Sequence, residues 1–344
     1  MSFAAEIREQ PEVLARLLAS QGEAARRIAA EIERRDVRSI YIAARGSSDN
    51  AALYGKYLWG AMVGLPVALA TPSLFTLYGT PPRLGDTLVV GISQSGQSPD
   101  IVSVVEEGRD QGALTLAITN DTGSPLAESA DLVLDTMAGP EKAIAASKTY
   151  TAQLTAIAML CSGSEAGRER RGELARLPDL MHAALAVEGE IGAAANRFRA
   201  MDRCVVLGRG FNYSTAYEWS LKLKETTYVV AEPYSSADFQ HGPVALVADG
   251  FPVLAVAPRD RVLDDVRALL ARLSDLEADL FVMSNDHRVL DLGASRVRLP
   301  DDLPAWLSPV VAVVPAQLFC YHLARAKGHD PDSPRQLRKV TRTW

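Results

Sequence analysis

The chain has 344 residues, of which 48% are hydrophobic and 23% are charged. These values are close to globular averages and exclude a disordered chain or a coiled coil, and the length suits two domains of about 100–200 residues each. The net charge is −6, with no Lys/Arg cluster dense enough to follow a phosphate backbone, so we expect no nucleic-acid partner. Three well-separated cysteines and a charged start without an apolar signal segment predict a cytoplasmic protein.

Helical periodicity dominates the first 37 residues. Apolar residues recur at helical spacing between Ile7 and Ile32, among Glu and Arg residues. This pattern predicts two short helices, divided near residues 20–22. The chain that follows changes to a different pattern, so we place the first domain boundary at residue 37.

Short β-branched runs that end in Gly or Ser and lead into helices follow this segment. The first two are Ser39–Ala43 and Thr87–Ile92, and further strands are predicted at 113–118 and 131–134. Strands that alternate with helices in this way predict an α/β domain with a parallel sheet covered by helices on both faces.

The second half of the chain repeats the first at an offset of 164 residues, the separation of Gly46 and Gly210. The strand at 88–92 falls over 252–256 at the same offset. Ser93-Gln-Ser-Gly96 then falls opposite Ala257-Pro-Arg-Asp260, so the second copy lacks the hydroxyls. We infer two diverged copies of one α/β unit and one polar ligand site per chain.

The predicted organisation follows from this repeat. It comprises N-terminal helices at 1–37, an α/β domain at 38–162, a helical junction at 163–200, a second α/β domain at 201–331 and a C-terminal tail at 332–344. The longest apolar run, Leu307–Ala324, contains Pro309 and Pro315 and is predicted to be a buried helix. We therefore expect no association with a membrane.

Hydroxyl-bearing loops follow two strands of the first predicted domain. Ser93, Gln94, Ser95 and Ser98 follow the strand that begins at Thr87, and Pro99 makes Ser98 a candidate N-cap. Such a loop offers backbone N–H groups, a favourable helix dipole and hydroxyl donors to a phosphate monoester. Ser47 and Ser48 follow the other strand in the same type of turn. The alternative is that these are ordinary turn residues.

Three groups of ionisable residues are candidates for acid–base chemistry. Glu218, Lys222 and Glu225 are spaced to share one helix face, although a solvated stripe of ion pairs has the same spacing. His241 lies in a turn fixed by Gly and Pro, where an ordinary surface or core histidine is the alternative. Lys339 lies in a basic tail, which by itself is typical of a solvated terminus. None of the five histidines has metal-ligand spacing, so we expect no metal.

In combination, these segments resemble the SIS (sugar isomerase) family of phosphosugar-binding proteins, and closely the isomerase half of glucosamine-6-phosphate synthases. The segments that carry the resemblance are Gly46-Ser-Ser48, Ser93-Gln-Ser-Gly-Gln-Ser98, Ala145-Ala-Ser-Lys148, Leu207-Gly-Arg-Gly210, Leu221-Lys-Leu-Lys-Glu225, His241-Gly-Pro243 and the tail around Lys339. The resemblance implies two tandem SIS domains, each a flavodoxin-like parallel sheet flanked by helices. It also implies a homodimer with the active site near the subunit boundary and no cofactor.

Site roles follow from the resemblance by position. The residues that would bind the phosphate of a small-molecule sugar phosphate are Ser47, Ser48, Ser93, Gln94, Ser95 and Ser98. Glu225 would move a proton between C1 and C2, with Lys222 supporting it. His241, supplied by the neighbouring subunit, would open the sugar ring. Lys339 matches the lysine that forms a Schiff base with the ketose.

The sequence also departs from the synthase pattern. Arg45 replaces a cysteine, Ala146 a serine, and Gln97-Ser98 a Glu-Thr pair. The chain starts directly before the isomerase-like region, so we expect no glutaminase domain. Three segments, Gly139-Pro-Glu-Lys142, Ser235-Ser-Ala-Asp238 and Lys339-Val-Thr-Arg-Thr, resemble stand-alone SIS-type glucosamine-6-phosphate deaminases.

This second resemblance implies an isomerising deaminase that converts glucosamine 6-phosphate and water to fructose 6-phosphate and ammonia. Two alternatives remain open at this point. One is an isomerase or deglycase that acts on another phosphosugar. The other is a phosphosugar-sensing module without catalytic activity.

Overall fold

The computed structural model describes residues 2–165 and 167–339; residues 340–344 of the predicted tail lie outside the described residues. Contacts within the chain divide it into two units. The N-terminal sheet unit comprises 9–141, 146–176 and the chain from Arg338 onward, and the C-terminal sheet unit comprises the chain up to Arg8, 142–145 and 177–337. The first helix, α1 (Phe3–Arg8), therefore belongs to the C-terminal sheet unit.

The N-terminal sheet unit contains a five-stranded sheet in which every neighbouring pair is parallel. Its strands are β1 (Ser39–Ala43), β2 (Val67–Leu69), β3 (Thr87–Ser93), β4 (Leu114–Thr119) and β5 (Leu132–Asp135). Its helices are α2 (Gln10–Arg34), α3 (Ser47–Met62), α4 (Ser73–Thr76), α5 (Pro99–Asp110), α6 (Pro125–Ser129), α7 (Lys148–Gly163) and α8 (Arg171–Leu174). The strand order β2-β1-β3-β4-β5 is that of flavodoxin-like folds.

The central strands are buried on both faces, as helices on both sides of a parallel sheet require. All six residues of β4 are buried, and so are six of the seven in β3. Because the strands are parallel, their carboxyl ends lie at one edge of the sheet. Ala43 pairs with Gly91, and Ser93 with Thr119, so the loops after β1 and β3 leave the sheet side by side.

The prediction of a helix break near residues 20–22 was wrong. Helix α2 continues through this region, and the chain interrupts its helical course at Glu9 instead, between α1 and α2. Pro11 occupies the first turn of α2, where its missing N–H leaves no hydrogen bond unmade. An apolar stripe that includes Val13, Leu17 and Ile28 is buried, and α2 packs against α7. The burial of this stripe outweighs the cost of about 1 kcal/mol for Gly22 inside the helix.

The C-terminal sheet unit has the same topology. Its strands are β6 (Arg203–Gly208), β7 (Val230–Ser235), β8 (Pro252–Val256), β9 (Asp279–Ser284) and β10 (Ser295–Arg298), in the order β7-β6-β8-β9-β10. Its further helices are α9 (Leu177–Leu185), α10 (Glu188–Arg197), α11 (Tyr213–Thr227), α12 (Ser236–Gln240), α13 (Leu263–Asp275), α14 (His287–Leu290) and α15 (Ser308–Ala326). The repeat expected from the sequence, and the fold class of two flavodoxin-like parallel sheets flanked by helices, are confirmed. The range 163–200, predicted as a helical junction, contains α8, α9 and α10.

Helix α15 accounts for the longest apolar run. Within the described residues, the segment Ala305–Ala326 is long and apolar enough to cross a membrane, and 89% of its most apolar window is buried inside the protein. The prediction of a buried helix is thus confirmed. Pro309 lies in its first turn, whereas Pro315 lies inside the helix, which continues past it. Pro315 removes one backbone hydrogen bond, and the burial of nearly every residue around it compensates.

Candidate active site

The loop after β3 carries four of the predicted phosphate ligands. Ser93 is the last residue of the strand and is 8% exposed, while Gln94, Ser95 and Ser98 are half-buried. The Ser93 hydroxyl accepts a hydrogen bond of 3.0 Å from the Gly96 N–H, which tightens the turn. Gly96 has a φ of +61°, a conformation that glycine adopts without strain.

Ser98 occupies the N-cap position of α5, as predicted, and its backbone is extended. Within the described residues, its side chain makes no capping hydrogen bond to this helix. The N-terminus of the 12-residue helix α5 follows Ser98 directly. The N–H groups of the first turn of a helix lack helical partners and carry a partial positive charge, which suits an anion.

The loop after β1 carries the second predicted pair of hydroxyls. Ser47 is the first residue of α3, after Gly46, whose φ is +56°. The Ser48 side chain is 9% exposed, and its hydroxyl accepts a hydrogen bond of 3.0 Å from the Gln153 amide of α7. Because β1 and β3 are adjacent, the hydroxyls of both loops lie at the same edge of the sheet, in one unit.

The predicted acid–base residues of α11 belong to the C-terminal sheet unit. The Lys222 side chain is 1% exposed, and its ammonium group forms an ion pair with the Glu225 carboxylate. The same ammonium lies 3.5 Å from an oxygen of Glu218, whose side chain is fully buried. The solvated stripe allowed by the sequence is therefore wrong. Charged groups are costly to bury unless they are paired, and this cluster pairs them.

Glu225 differs from the other two members of this cluster because 23% of its side chain is exposed. One of its oxygens is held by Lys222, which balances the charge of the carboxylate and fixes its orientation. Helix α11 ends two residues later, where Tyr228 adopts a left-handed conformation with a φ of +57°. The arrangement presents a carboxylate to solvent next to a buried cation.

His241 follows the short helix α12, and its side chain is exposed. Its backbone N–H donates to the carbonyl of Asp238 at 3.1 Å, which closes the helix. Gly242 then turns the chain with a φ of +136°, and Pro243 follows. The side chain of His241 is therefore not part of the core of its own unit.

Lys339 is not a free, solvated terminal residue. Its ammonium donates a hydrogen bond of 2.6 Å to Glu141, and both residues belong to the N-terminal sheet unit. The Glu141 side chain is fully buried, while 23% of the Lys339 side chain is exposed. The interpretation of Lys339 as part of a loose basic tail is wrong for this residue.

Glu141 is the buried partner of Lys339, and the sequence reasoning missed it. Besides Lys339, its carboxylate accepts hydrogen bonds from the N–H groups of Ser147 and Thr149 and from the Thr149 hydroxyl, at 2.8–3.1 Å. It thereby organises the start of α7. The segment Gly139-Pro-Glu-Lys142 drew notice only as a resemblance, and nothing in its spacing showed that a buried carboxylate would meet a residue 198 positions away.

Among residues 2–165 and 167–339, no group of three or more His, Cys, Asp or Glu is placed to hold a metal ion. All three cysteines are buried, and burial raises the pKa of each thiol. Thiols with raised pKa values are poor metal ligands and poor nucleophiles at neutral pH.

Comparisons with known proteins agree with this architecture. The SIS domain model matches residues 35–162 and 198–325. A glutamine–fructose-6-phosphate aminotransferase (isomerizing) of Thermococcus kodakarensis is 36% identical over 97% of this chain, and the chain spans 56% of that relative's length. Two crystal structures superpose with a TM-score of 0.87: a candidate phosphosugar isomerase from Silicibacter pomeroyi DSS-3 and the C-terminal domain of glucosamine-fructose-6-phosphate aminotransferase from Francisella tularensis.

These two structures are similar to the chain over almost its full length. The Silicibacter protein is 34% identical, with 96% of this chain and 99% of the other covered; the Francisella domain is 29% identical, with 96% and 98% covered. The family model covers both sheets, and the two structural matches include the connecting helices. The chain belongs to the SIS domain family.

Proposed function

We propose that this chain is a phosphosugar aldose–ketose isomerase that acts on an amino-sugar phosphate. The observation that carries the proposal is the Glu225 carboxylate, which is partly exposed and paired with the buried Lys222. A carboxylate held by a cation can take a proton from carbon and return it to the neighbouring carbon. The isomerising aminotransferases named above support this chemistry.

The hydroxyl loops of the N-terminal sheet unit are proposed to bind the phosphate group. Ser47, Ser48, Ser93, Gln94, Ser95 and Ser98 supply neutral hydrogen-bonding side chains, and the positive ends of the α3 and α5 helix dipoles lie at these loops. This combination stabilises a phosphate monoester without a metal. The domain division at residues 38–162 and 201–331 then separates phosphate binding from proton transfer.

The specific reaction we propose is the deamination of glucosamine 6-phosphate. Ring opening, assisted by His241, exposes an aldehyde at C1. Glu225 removes the proton from C2 and returns it to C1, while the C1 oxygen takes up a proton and the C2 nitrogen gives one up. The C1 aldehyde thereby becomes an alcohol and the C2 amine becomes a C2 imine. Water adds to this imine and ammonia leaves, which yields fructose 6-phosphate. Atoms balance with water as the only co-reactant.

The proposal also gives a role to Lys339, which would stabilise the C2 intermediate, as an imine or as a cation, once its ammonium leaves Glu141.

The proposal also includes a homodimer. The His241 side chain is exposed on its own subunit, which would allow it to act on the site of a neighbouring copy. Localisation in the cytoplasm fits such a metabolic role.

Ammonia release from a panel of amino-sugar phosphates tests the reaction. We expect the wild-type protein to release ammonia from glucosamine 6-phosphate with stoichiometric formation of fructose 6-phosphate, and the Glu225→Gln variant to do so about 10²–10⁴-fold more slowly. Galactosamine 6-phosphate and phosphorylated glycation products in the same panel cover the isomerase and deglycase alternatives. If no amino-sugar phosphate releases ammonia, the deaminase proposal is wrong.

The sensing alternative predicts a different outcome in heavy water. A catalytic protein exchanges a proton at C1 of fructose 6-phosphate with solvent deuterium, which NMR detects. A sensing module binds the same ligand without exchange. Binding without exchange would overturn the enzymatic proposal and favour the sensing module.

A further inference from the structure

Arg45 and Asp100 form an ion pair beside the hydroxyl loops. Nε and Nη2 of Arg45 each lie 2.8 Å from the same Asp100 oxygen, and the other Asp100 oxygen accepts the Ile101 N–H at 3.0 Å. The Asp100 side chain is fully buried, whereas half of the Arg45 side chain is exposed. The pair is therefore a fixed dipole with its positive end toward solvent.

The position of this dipole relates it to the proposed phosphate ligands. Arg45 lies two residues past Ala43, the last residue of β1, which pairs with Gly91; Ser93 lies two residues past Gly91. Arg45 also directly precedes the turn of Ser47 and Ser48, and Asp100 lies in the first turn of α5, after Ser98. The guanidinium thus stands at the sheet edge where the hydroxyls of both loops lie.

We propose that Arg45 is a further phosphate-binding residue, which supplies a permanent positive charge to the bound dianion, and that Asp100 is its positioning residue. The inference rests on the proposed function, because it concerns the phosphate of the same substrate. Neutral hydroxyls and N–H groups bind a phosphate monoester without fully neutralising it. A guanidinium adds charge and planar hydrogen-bond donors that match phosphate oxygens.

The orientation of Arg45 supports this role. Its Nε and Nη2 are engaged by Asp100, and among the described residues no hydrogen bond from Nη1 to the protein is found. A two-point attachment to a buried carboxylate reduces the rotamer freedom that an arginine would otherwise lose on binding a ligand.

The second copy of the repeat provides a matched control. Arg209 occupies the position equivalent to Arg45 and pairs with Asp265 in the first turn of α13. Its loop after β8 has no serine where the first copy has Ser93 and Ser95. If each ion pair only fastens a loop to a helix, substitution of Arg45 and of Arg209 should have the same effect on ligand affinity. If Arg45 binds the phosphate, only its substitution should weaken ligand binding.

The test is the dissociation constant of fructose 6-phosphate, measured by calorimetry for Arg45→Gln, Arg45→Lys and Arg209→Gln. We expect Arg45→Gln to weaken binding about 10- to 100-fold, as loss of a charged hydrogen bond does, and Arg209→Gln to leave it unchanged. Arg45→Lys should recover part of the affinity because it keeps the charge. Binding to wild type and Arg45→Lys should weaken as salt is added, and binding to Arg45→Gln should depend less on salt.

Asp100→Asn tests the positioning role. We expect weaker binding in the wild-type background and no further loss in the Arg45→Gln background, because Asp100 acts through Arg45. Equal affinity of wild type and Arg45→Gln, or equal losses in Arg45→Gln and Arg209→Gln, would overturn the inference while the proposed function stands. Failure of the wild-type protein to bind any sugar phosphate would instead overturn both.

Discussion

Gly96 fixes the geometry of the proposed phosphate loop, and its replacement by alanine is a quantitative test of that geometry. Two independent costs follow from the structure. The φ of +61° is unfavourable for any L-residue. In addition, an alanine Cβ would overlap the Ser124 hydroxyl and lie 2.5 Å from the Ser124 Cβ, closer than real Cβ atoms approach a neighbour.

Gly79 separates these two costs because it has nearly the same φ, +63°, and no neighbouring atom lies within 4 Å of the position that an alanine Cβ would take. We expect Gly79→Ala to lower the free energy of unfolding by about 1–2 kcal/mol, from backbone strain alone. Gly96→Ala should lower it by a further amount of about 1–3 kcal/mol, because a tightly packed site is overfilled. Urea unfolding followed by circular dichroism measures both.

Removal of the obstructing side chain completes the test. In a Ser124→Gly background, the nearest remaining neighbour of the added Cβ is the Leu126 Cβ at 3.3 Å, so Gly96→Ala should cost little more than Gly79→Ala. Gly96→Ala should also weaken fructose 6-phosphate binding, whereas Gly79→Ala should not. If Gly96→Ala and Gly79→Ala lower stability equally, the close contact with Ser124 is not real and the loop geometry is wrong.

Three further predictions concern chemistry, assembly and pH. Glu225→Gln should keep its affinity for fructose 6-phosphate and slow proton exchange at C1 of this ligand by about 10²–10⁴-fold, the usual contribution of one acid–base group; full exchange activity in heavy water would exclude Glu225 as the base. When Glu225→Gln and His241→Ala proteins are mixed and exchange subunits at random, about a quarter of wild-type sites should be restored. Half of the dimers are then mixed, and one of the two sites in each mixed dimer is intact. Activity no higher than that of the single variants, with exchange demonstrated, would refute a shared site. Burial raises the pKa of Glu188, but hydrogen bonds from Arg8 and His322 lower it more, so its pKa lies below 4.5. The stability that Glu188 contributes relative to Glu188→Gln should therefore be complete above pH 4.5 and decline as the pH falls through the lowered pKa; a difference in unfolding free energy that does not change in acid would contradict this assignment.

The buried charge cluster on α11 shows where spacing stops being informative. Separations of four and three positions put Glu218, Lys222 and Glu225 on one helix face, but a solvated stripe has the same spacing. Burial decides between the two, and burial depends on how the helix packs. The sequence reasoning also missed Glu141, because its partner Lys339 is 198 residues away in the chain.

Local chemistry explains what the sequence determined by itself. Hydrophobic periodicity and Gly/Ser punctuation are properties of a few consecutive residues, so β1, β3 and the hydroxyl loops after them are predictable from the amino-acid order alone. The internal offset of 164 residues likewise predicted two equivalent sheets. The predicted helix break at residues 20–22 was wrong because the packing of the apolar stripe of α2 stabilises the helix by more than a single glycine weakens it.

Tertiary structure alone decided which charges meet and which of them reach solvent. Asp100 and Arg45 are 55 residues apart, and no local rule relates a carboxylate in the first turn of α5 to a guanidinium after β1. Their pairing arises because β1 and β3 are neighbours in a parallel sheet, whose carboxyl ends bring both loops to one edge. The sequence thus determined the kinds of groups available at that edge. Strand order and burial determined that one carboxylate lies inside while its cation faces solvent, because an ionised group enters the interior only where the fold supplies its partner.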